Sequence, residues 1–153
     1  QYADGQYTSA SPLIVNVGET VQLTNNAASS IKTQLPDGVT DFYDASTNTL
    51  TPDTLGDGYV MRINMKAYTT SNTGYGEIYI DIGNGAPIKI IELSVNFPRG
   101  TGSTNVRPYT STSFVYALDT LIANGGKVYY ESVRGTTSIY DIVFIIERTS
   151  KGK

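Results

Sequence analysis

Between residues 58 and 68 the chain alternates without a break. Tyr59, Met61, Ile63, Met65 and Ala67 fall on one side of an extended backbone, and Val60, Arg62, Asn64 and Lys66 on the other. A period of two marks a strand covered on one face, because successive Cβ atoms point to opposite sides. The pattern returns at residues 76–82, where Ile78, Ile80 and Ile82 alternate with Glu77, Tyr79 and Asp81. No segment sustains the 3.6-residue spacing of an amphipathic helix. The runs are rich in Val, Ile and Tyr and are punctuated by Gly, Asn, Asp and Pro, as strands and turns require. At 153 residues and 39% hydrophobic, the chain can bury one sizeable core and is not a disordered segment.

Read along its length, the chain predicts about ten short strands. Two lie at 11–17 and 20–24 around a turn at Gly18. A polar stretch, 25–32, leads to the turn Pro36-Asp37-Gly38, and two weak strands follow around Phe42-Tyr43 and 47–51. The strands 58–68 and 76–82 are joined through Ser71-Asn72-Thr73-Gly74. Residues 83–87 turn the chain into a strand at 88–97, where Ile90-Ile91 breaks the alternation as a bulge would. Residues 98–112 read as a long loop, followed by strands at 113–121, 127–133 and 139–148 and a charged tail at 151–153. Turn signals every 8–12 residues without a longer repeat point to an all-β sandwich or barrel. The expected organisation is an N-terminal arm, 1–10, followed by one β domain, 11–150.

The last strand is unusual. Tyr140, Ile142, Phe144 and Ile146 form one apolar face, while Val143 and Ile145, between Asp141 and Glu147, make the opposite face apolar too. A strand apolar on both faces is covered on both faces. Another chain is the natural cover, and a loop of the same chain is the alternative.

Composition removes most chemistries. There is no Cys and no His, hence no thiol nucleophile, thiolate metal site, imidazole base or catalytic triad. Only carboxylate pairs remain: Asp53 with Asp57, and Asp41 with Asp44. Paired acids can hydrolyse glycosides at the right separation, but acids in turns are usually solvated turn formers, so no enzyme is expected. Asp53–Asp57 with Asn48 has no EF-hand-like spacing for Ca²⁺, and the Gly-rich turns lack a phosphate-loop Lys. No cofactor and no metal site is therefore predicted. Tyr68, Tyr79 and Tyr109 are candidates for stacking on sugar rings, and Arg99 and Arg107 for meeting acidic partners. A net charge of −3 does not suit nucleic acid. The charge is uneven: residues 1–58 carry one base against seven acids, and residues 59–153 ten bases against seven acids. No apolar run is long enough for a membrane span, the start lacks a signal-peptide pattern, and none of the ten Asn lies in a glycosylation sequon.

Three stretches resemble the trimeric jelly rolls of the tumour-necrosis-factor and complement globular-head class. The first is Thr49-Leu50-Thr51-Pro52, an acidic loop, then Gly58-Tyr59-Val60-Met61-Arg62-Ile63-Asn64. The second is Phe114-Val115-Tyr116-Ala117-Leu118-Asp119-Thr120-Leu121, then Asn124-Gly125-Gly126 and Lys127-Val128-Tyr129-Tyr130. The third is the apolar closing strand around 142–146. One departure stands out: only residues 134–138 separate the last two long strands, where the family usually inserts a short one. Within this class, the Thr, Asn, Gly and Tyr-rich, Cys-free style is most similar to bacteriophage virion proteins.

The resemblance implies a TNF-like jelly-roll sandwich and a non-enzymatic homotrimer. Its trimer interface would be built from Val60, Arg62, Asn64, Phe114, Val143 and Ile145, with Arg62 meeting Asp141 or Glu147 of an adjacent chain. The implied role is capsid decoration or a head fibre, bound to the major capsid protein or another virion protein, partly through the arm at 1–10. The implied location is the virion, assembled in the host cytoplasm. The alternative is the receptor-binding tip of a phage fibre, gripping a host-surface saccharide.

Overall fold

The computed structural model describes residues 1–152, with Pro98 described by its backbone alone. The described residues form twelve strands, ten of them in two antiparallel sheets. They are β1 (Tyr2–Ala3), β2 (Leu13–Val15), β3 (Thr20–Gln22), β4 (Ser29–Ser30), β5 (Tyr43–Asp44), β6 (Thr49–Leu50), β7 (Gly58–Thr69), β8 (Thr73–Asp81), β9 (Lys89–Pro98), β10 (Arg107–Tyr116), β11 (Lys127–Arg134) and β12 (Thr137–Ser150). One sheet runs β10-β7-β12-β1-β4, with β2 also on β12; the other runs β3-β11-β8-β9; β5 and β6 pair as a separate hairpin. The chain passes between these two sheets after β2, β3, β7, β9, β10 and β11. That wrapping of paired strands around a common core is the jelly roll, so the fold is an all-β jelly-roll sandwich.

The alternation of 58–68 survives intact. Met61, Ile63, Met65 and Ala67 are buried between the sheets in one core with Ile78 and Ile80 of β8 and Ile142 and Phe144 of β12, and Tyr59 is buried against Phe42 and Ala117. The doublet Ile90-Ile91 is a bulge: Ile91 has φ 56° and the register against β8 shifts there. The short link after β11 is a two-residue corner, Gly135-Thr136, between sheets. Gly135 has φ 82°, and a Cβ there would meet Thr69 Oγ1 at 2.5 Å, so only glycine turns this corner without strain.

Four expectations need correction. Residues 107–112 form the first half of β10 rather than a loop; Pro108 is tolerated because β10 is an edge strand. Residues 119–121 do not continue a strand but open the short helix α1 (Asp119–Asn124), which tucks in Leu121 and ends at Gly125 with φ 69°. Tyr140 does not share a face with Ile142 and Phe144. Asp141, at φ 52°, bulges out of register, so Ile139 takes the core side before it and Tyr140 stands opposite Lys66 on the outer side. The residues expected as a detached arm are built into the sandwich: Tyr2 pairs with Phe144 and Ser30, and its ring lies in the core against Tyr43. Of the charged tail, Lys153 lies outside the described residues.

One buried amide holds this N-terminal corner. The side-chain Nδ2 of Asn25 donates to the carbonyls of Tyr2 at 3.0 Å and Ile142 at 3.3 Å, tying β1 to β12. Its main-chain N–H donates to Asn48 Oδ1 at 2.8 Å, which draws in the β5–β6 hairpin. Phe42 N–H donates to the Tyr2 hydroxyl at 2.9 Å. Tyr2 is thus a core residue, and Tyr2→Ala should cost about 3–5 kcal/mol. Urea titration of the variant checks this; an unchanged midpoint would return residues 1–3 to the status of a loose arm.

Candidate functional site

The outer surface of the larger sheet is the candidate site. Register alone lays it out in rows across β10, β7 and β12: Phe114–Val60–Glu147, then Thr112–Arg62–Ile145, then Thr110–Asn64–Val143. All six residues expected at an interface, Val60, Arg62, Asn64, Phe114, Val143 and Ile145, therefore share one continuous face. Tyr116, two residues from Phe114 on the same strand, extends it; its ring packs edge-on against Phe114 at 4.8 Å and 86°. These two aromatic side chains are 49% and 57% exposed. Phe114 leans over Gly58, where a Cβ would meet its Cζ at 3.0 Å. That glycine lets an aromatic ring lie flat on the sheet.

The polar groups of the face are incompletely satisfied. Asn64 Oδ1 is buried without a hydrogen-bond partner. Arg62 is exposed and forms no ion pair among the described residues. Asp141, one expected partner for it, is engaged by Lys66 of the same chain at 2.9 Å. Glu147, in the next row, is exposed and is the remaining candidate.

Elsewhere the candidate residues have structural work. Asp57 is fully buried; its carboxylate accepts from Gly152 N–H at 2.7 Å, the Tyr59 hydroxyl at 2.8 Å, Thr54 N–H at 3.3 Å and Arg148 at 3.4 Å. Asp53 accepts from Arg148 at 2.9 Å. This pair clasps the chain end rather than presenting two free carboxylates. Asp41 pairs with Lys32 at 2.6 Å, and Asp44 accepts from Ser46 and Thr47 within its own turn. Asn48 is committed to Asn25 and Tyr43. Among the described residues, no three acids gather in a way that could hold a metal ion, and no helix is long and apolar enough to cross a membrane.

The tyrosines fall out differently from expectation. Tyr79 is buried, stacked on Tyr129 at 5.6 Å and capped by Lys89 at 4.2 Å. Tyr109 is half-buried and donates to the Asn96 carbonyl at 2.8 Å. Neither offers a free ring face, whereas Tyr116, which sequence reasoning passed over, does. The period-two step from Phe114 was the signal available for it.

No family model matches the chain, and no curated protein matches it. Among solved structures, it is similar to a CBM4 carbohydrate-binding module, with 15% identity and a TM-score of 0.41 over 62% of this chain and 68% of that one. It is also similar to the Eiger TNF of S. frugiperda, with 8% identity and a TM-score of 0.45 over 72% of this chain and 69% of that one.

The clasp has a pH signature. Burial penalises the charged Asp57 carboxylate, but the hydrogen bonds from Gly152 and Tyr59, the Arg148 charge and the Thr54 hydrogen bond outweigh it and hold its pKa below the usual value. Such a group stabilises the fold above the unfolded aspartate pKa of about 3.9 and stops doing so as pH falls through the lower folded value. Asp57→Asn should cost roughly 2 kcal/mol near neutral pH. The gap to the wild type should narrow in acid, which urea titrations at neutral and strongly acidic pH would show.

Proposed function

We propose that this chain is a non-enzymatic assembly module that trimerises through the β10–β7–β12 face and decorates or reinforces a bacteriophage capsid. The observation that carries the trimer is the chemistry of that face. An exposed aromatic pair and two half-buried aliphatic residues, Val143 and Ile145, surround an amide oxygen with no donor and a guanidinium with no acid.

A second copy remedies each defect. Full burial of a Val or Ile side chain contributes roughly 1.5–3 kcal/mol, so Val143 and Ile145 over three chains offset a large part of the association cost. A buried acceptor left unpaired costs about 1–3 kcal/mol, which a donor from a neighbouring chain recovers at Asn64. Arg62 of one copy meets Glu147 of the next, so three cations near one axis are neutralised by three acids. The capsid role is supported by the Cys-free, sequon-free, Tyr- and Thr-rich style of the chain and by acids that serve turns and clasps.

Light scattering tests the assembly. A trimer of 16.5 kDa chains has a mass of about 50 kDa. The double variant Val143→Asp with Ile145→Asp should run as a folded monomer. An unchanged trimer would put the contact elsewhere, and a monomeric wild type would end the trimer reading. Electron microscopy of the virion that carries the chain tests the role: density at local three-fold positions on the capsid is expected, and density at a fibre tip would favour saccharide binding.

A further inference from the structure

The outer surface of the smaller sheet carries a second constellation. Ile78 and Ile80 of β8 lie in the core, so Tyr75, three residues before Ile78, stands on the solvent side. Register sets Arg134 of β11 opposite Tyr75 on one flank and Asn96 of β9 opposite it on the other. The bulge between Ser132 and Arg134 brings Arg134 into this row and leaves Val133 exposed beside it. A guanidinium, a phenol ring and an amide thus stand side by side across three strands, a width of roughly 9.5 Å.

The loops at this end close the row into a cleft of about 590 Å³, within the roughly 300–1,000 Å³ of small-molecule sites. Arg99, from the loop after β9, and Asn72, from the β7–β8 turn, join its lining. Asn72 Oδ1 accepts from Gly100 N–H at 3.3 Å, and the Thr69 carbonyl from Gly102 N–H at 2.8 Å, so the loop that carries Arg99 is pinned. Arg99 itself is held at φ 49°, a left-handed conformation that a non-glycine residue adopts at a cost. No Asp or Glu lines the cleft, and among the described residues neither Arg99 nor Arg134 forms an ion pair. The acid one row along, Glu77, accepts from the Tyr75 hydroxyl, which fixes the ring rather than neutralising an arginine.

We infer that this cleft binds a sugar whose pyranose ring carries a carboxylate, a uronate or a sialate. Each half of that ligand matches one half of the cleft. Two cations without an acid call for an anion, and a guanidinium meets a carboxylate through two parallel N–H donors. The apolar face of a sugar ring packs on an aromatic ring such as Tyr75. The exposed amide of Asn96 can both donate to and accept from ring hydroxyls, and Asn72, whose Oδ1 is taken, keeps its Nδ2 to donate. A bare anion would leave Tyr75 and Asn96 unused, and a neutral sugar would leave both arginines without a counter-charge. The cleft lies on the smaller sheet and the trimer contact on the larger, so either can fail without the other.

NMR titration of the 153-residue chain tests this with two acidic probes, methyl β-D-glucuronide and the methyl α-glycoside of N-acetylneuraminic acid. Methyl β-D-glucoside is the neutral counterpart and acetate the anion without a ring. At least one acidic glycoside should shift the amides of Asn72, Tyr75, Asn96, Arg99 and Arg134, and which one does so tells uronate from sialate. The glucoside and acetate should each bind roughly tenfold or more weakly, the effect of losing the charge-assisted pair or the ring contacts. Arg99→Met with Arg134→Met should bind acidic and neutral glycosides equally while keeping the wild-type spectrum elsewhere. Should that variant not fold, salt makes the same test on the wild type: it should weaken the acidic glycoside and leave the glucoside unchanged. Equal wild-type affinity for the acidic glycosides and the glucoside, or for the acidic glycosides and acetate, would overturn the proposal. So would acidic glycosides that leave these amides unmoved up to their solubility limits.

Discussion

A strand has two edges and two faces, and β12 uses all four differently. One edge is occupied along most of its length by β7. The other is shared in sequence by β2 at Thr137–Ile139 and β1 at Val143–Phe144. Its inner face supplies Ile139, Ile142 and Phe144 to the core, and its outer face supplies Val143 and Ile145 to the surface patch. The Asp141 bulge makes this possible by resetting the phase between the two halves. A one-residue slip would exchange Ile142 and Phe144, both fully buried, for Val143 and Ile145. Register in this strand therefore decides both what the sandwich encloses and what it shows.

Polar satisfaction sharpens the contrast between the inside and that surface. Fully buried Asn25 and Asp57 have several partners each, and both stitch remote parts of the chain together. Among the described residues, three buried side-chain polar atoms have none: Asp41 Oδ1, Ser111 Oγ and Asn64 Oδ1. Of these, only Asn64 stands on the outer face of a sheet beside an unpaired cation and exposed aromatic rings. A chain that satisfies its interior this thoroughly leaves its unmet hydrogen-bonding capacity where a neighbour can reach it.

Much of this was legible before any coordinates. Period two located β7, β8, β11 and β12 and assigned the faces of β7 and of β12 after Asp141, because half-buried strands write their burial directly into alternation. The six face residues follow from the same count, with the neighbouring strand supplied by family resemblance. What escaped depended on contacts between distant segments. Residues 107–112 are polar and begin near a proline, yet pair along β7 because an edge strand needs no apolar outer side. Residues 113–121 read as one strand, but burial of Leu121, three residues after Leu118, and the positive φ of Gly125 go with a helix from Asp119. Tyr2 was obscured because a two-residue strand has no periodicity of its own.

The partnership of Tyr2 with Phe144 and of Leu13 with Ile139 also governs when the molecule can become itself. β2 finds its partner only in β12, β1 its second partner there after β4, and β3 must wait for β11. Only nearby pairs such as β8 with β9 can form while the rest of the chain is still being made. Such long loop closures slow folding and leave unpaired sheet edges exposed in the interval. During synthesis, then, β7 spends its time without β12, and residues 13–15 stay unpaired until residues 137–139 are made.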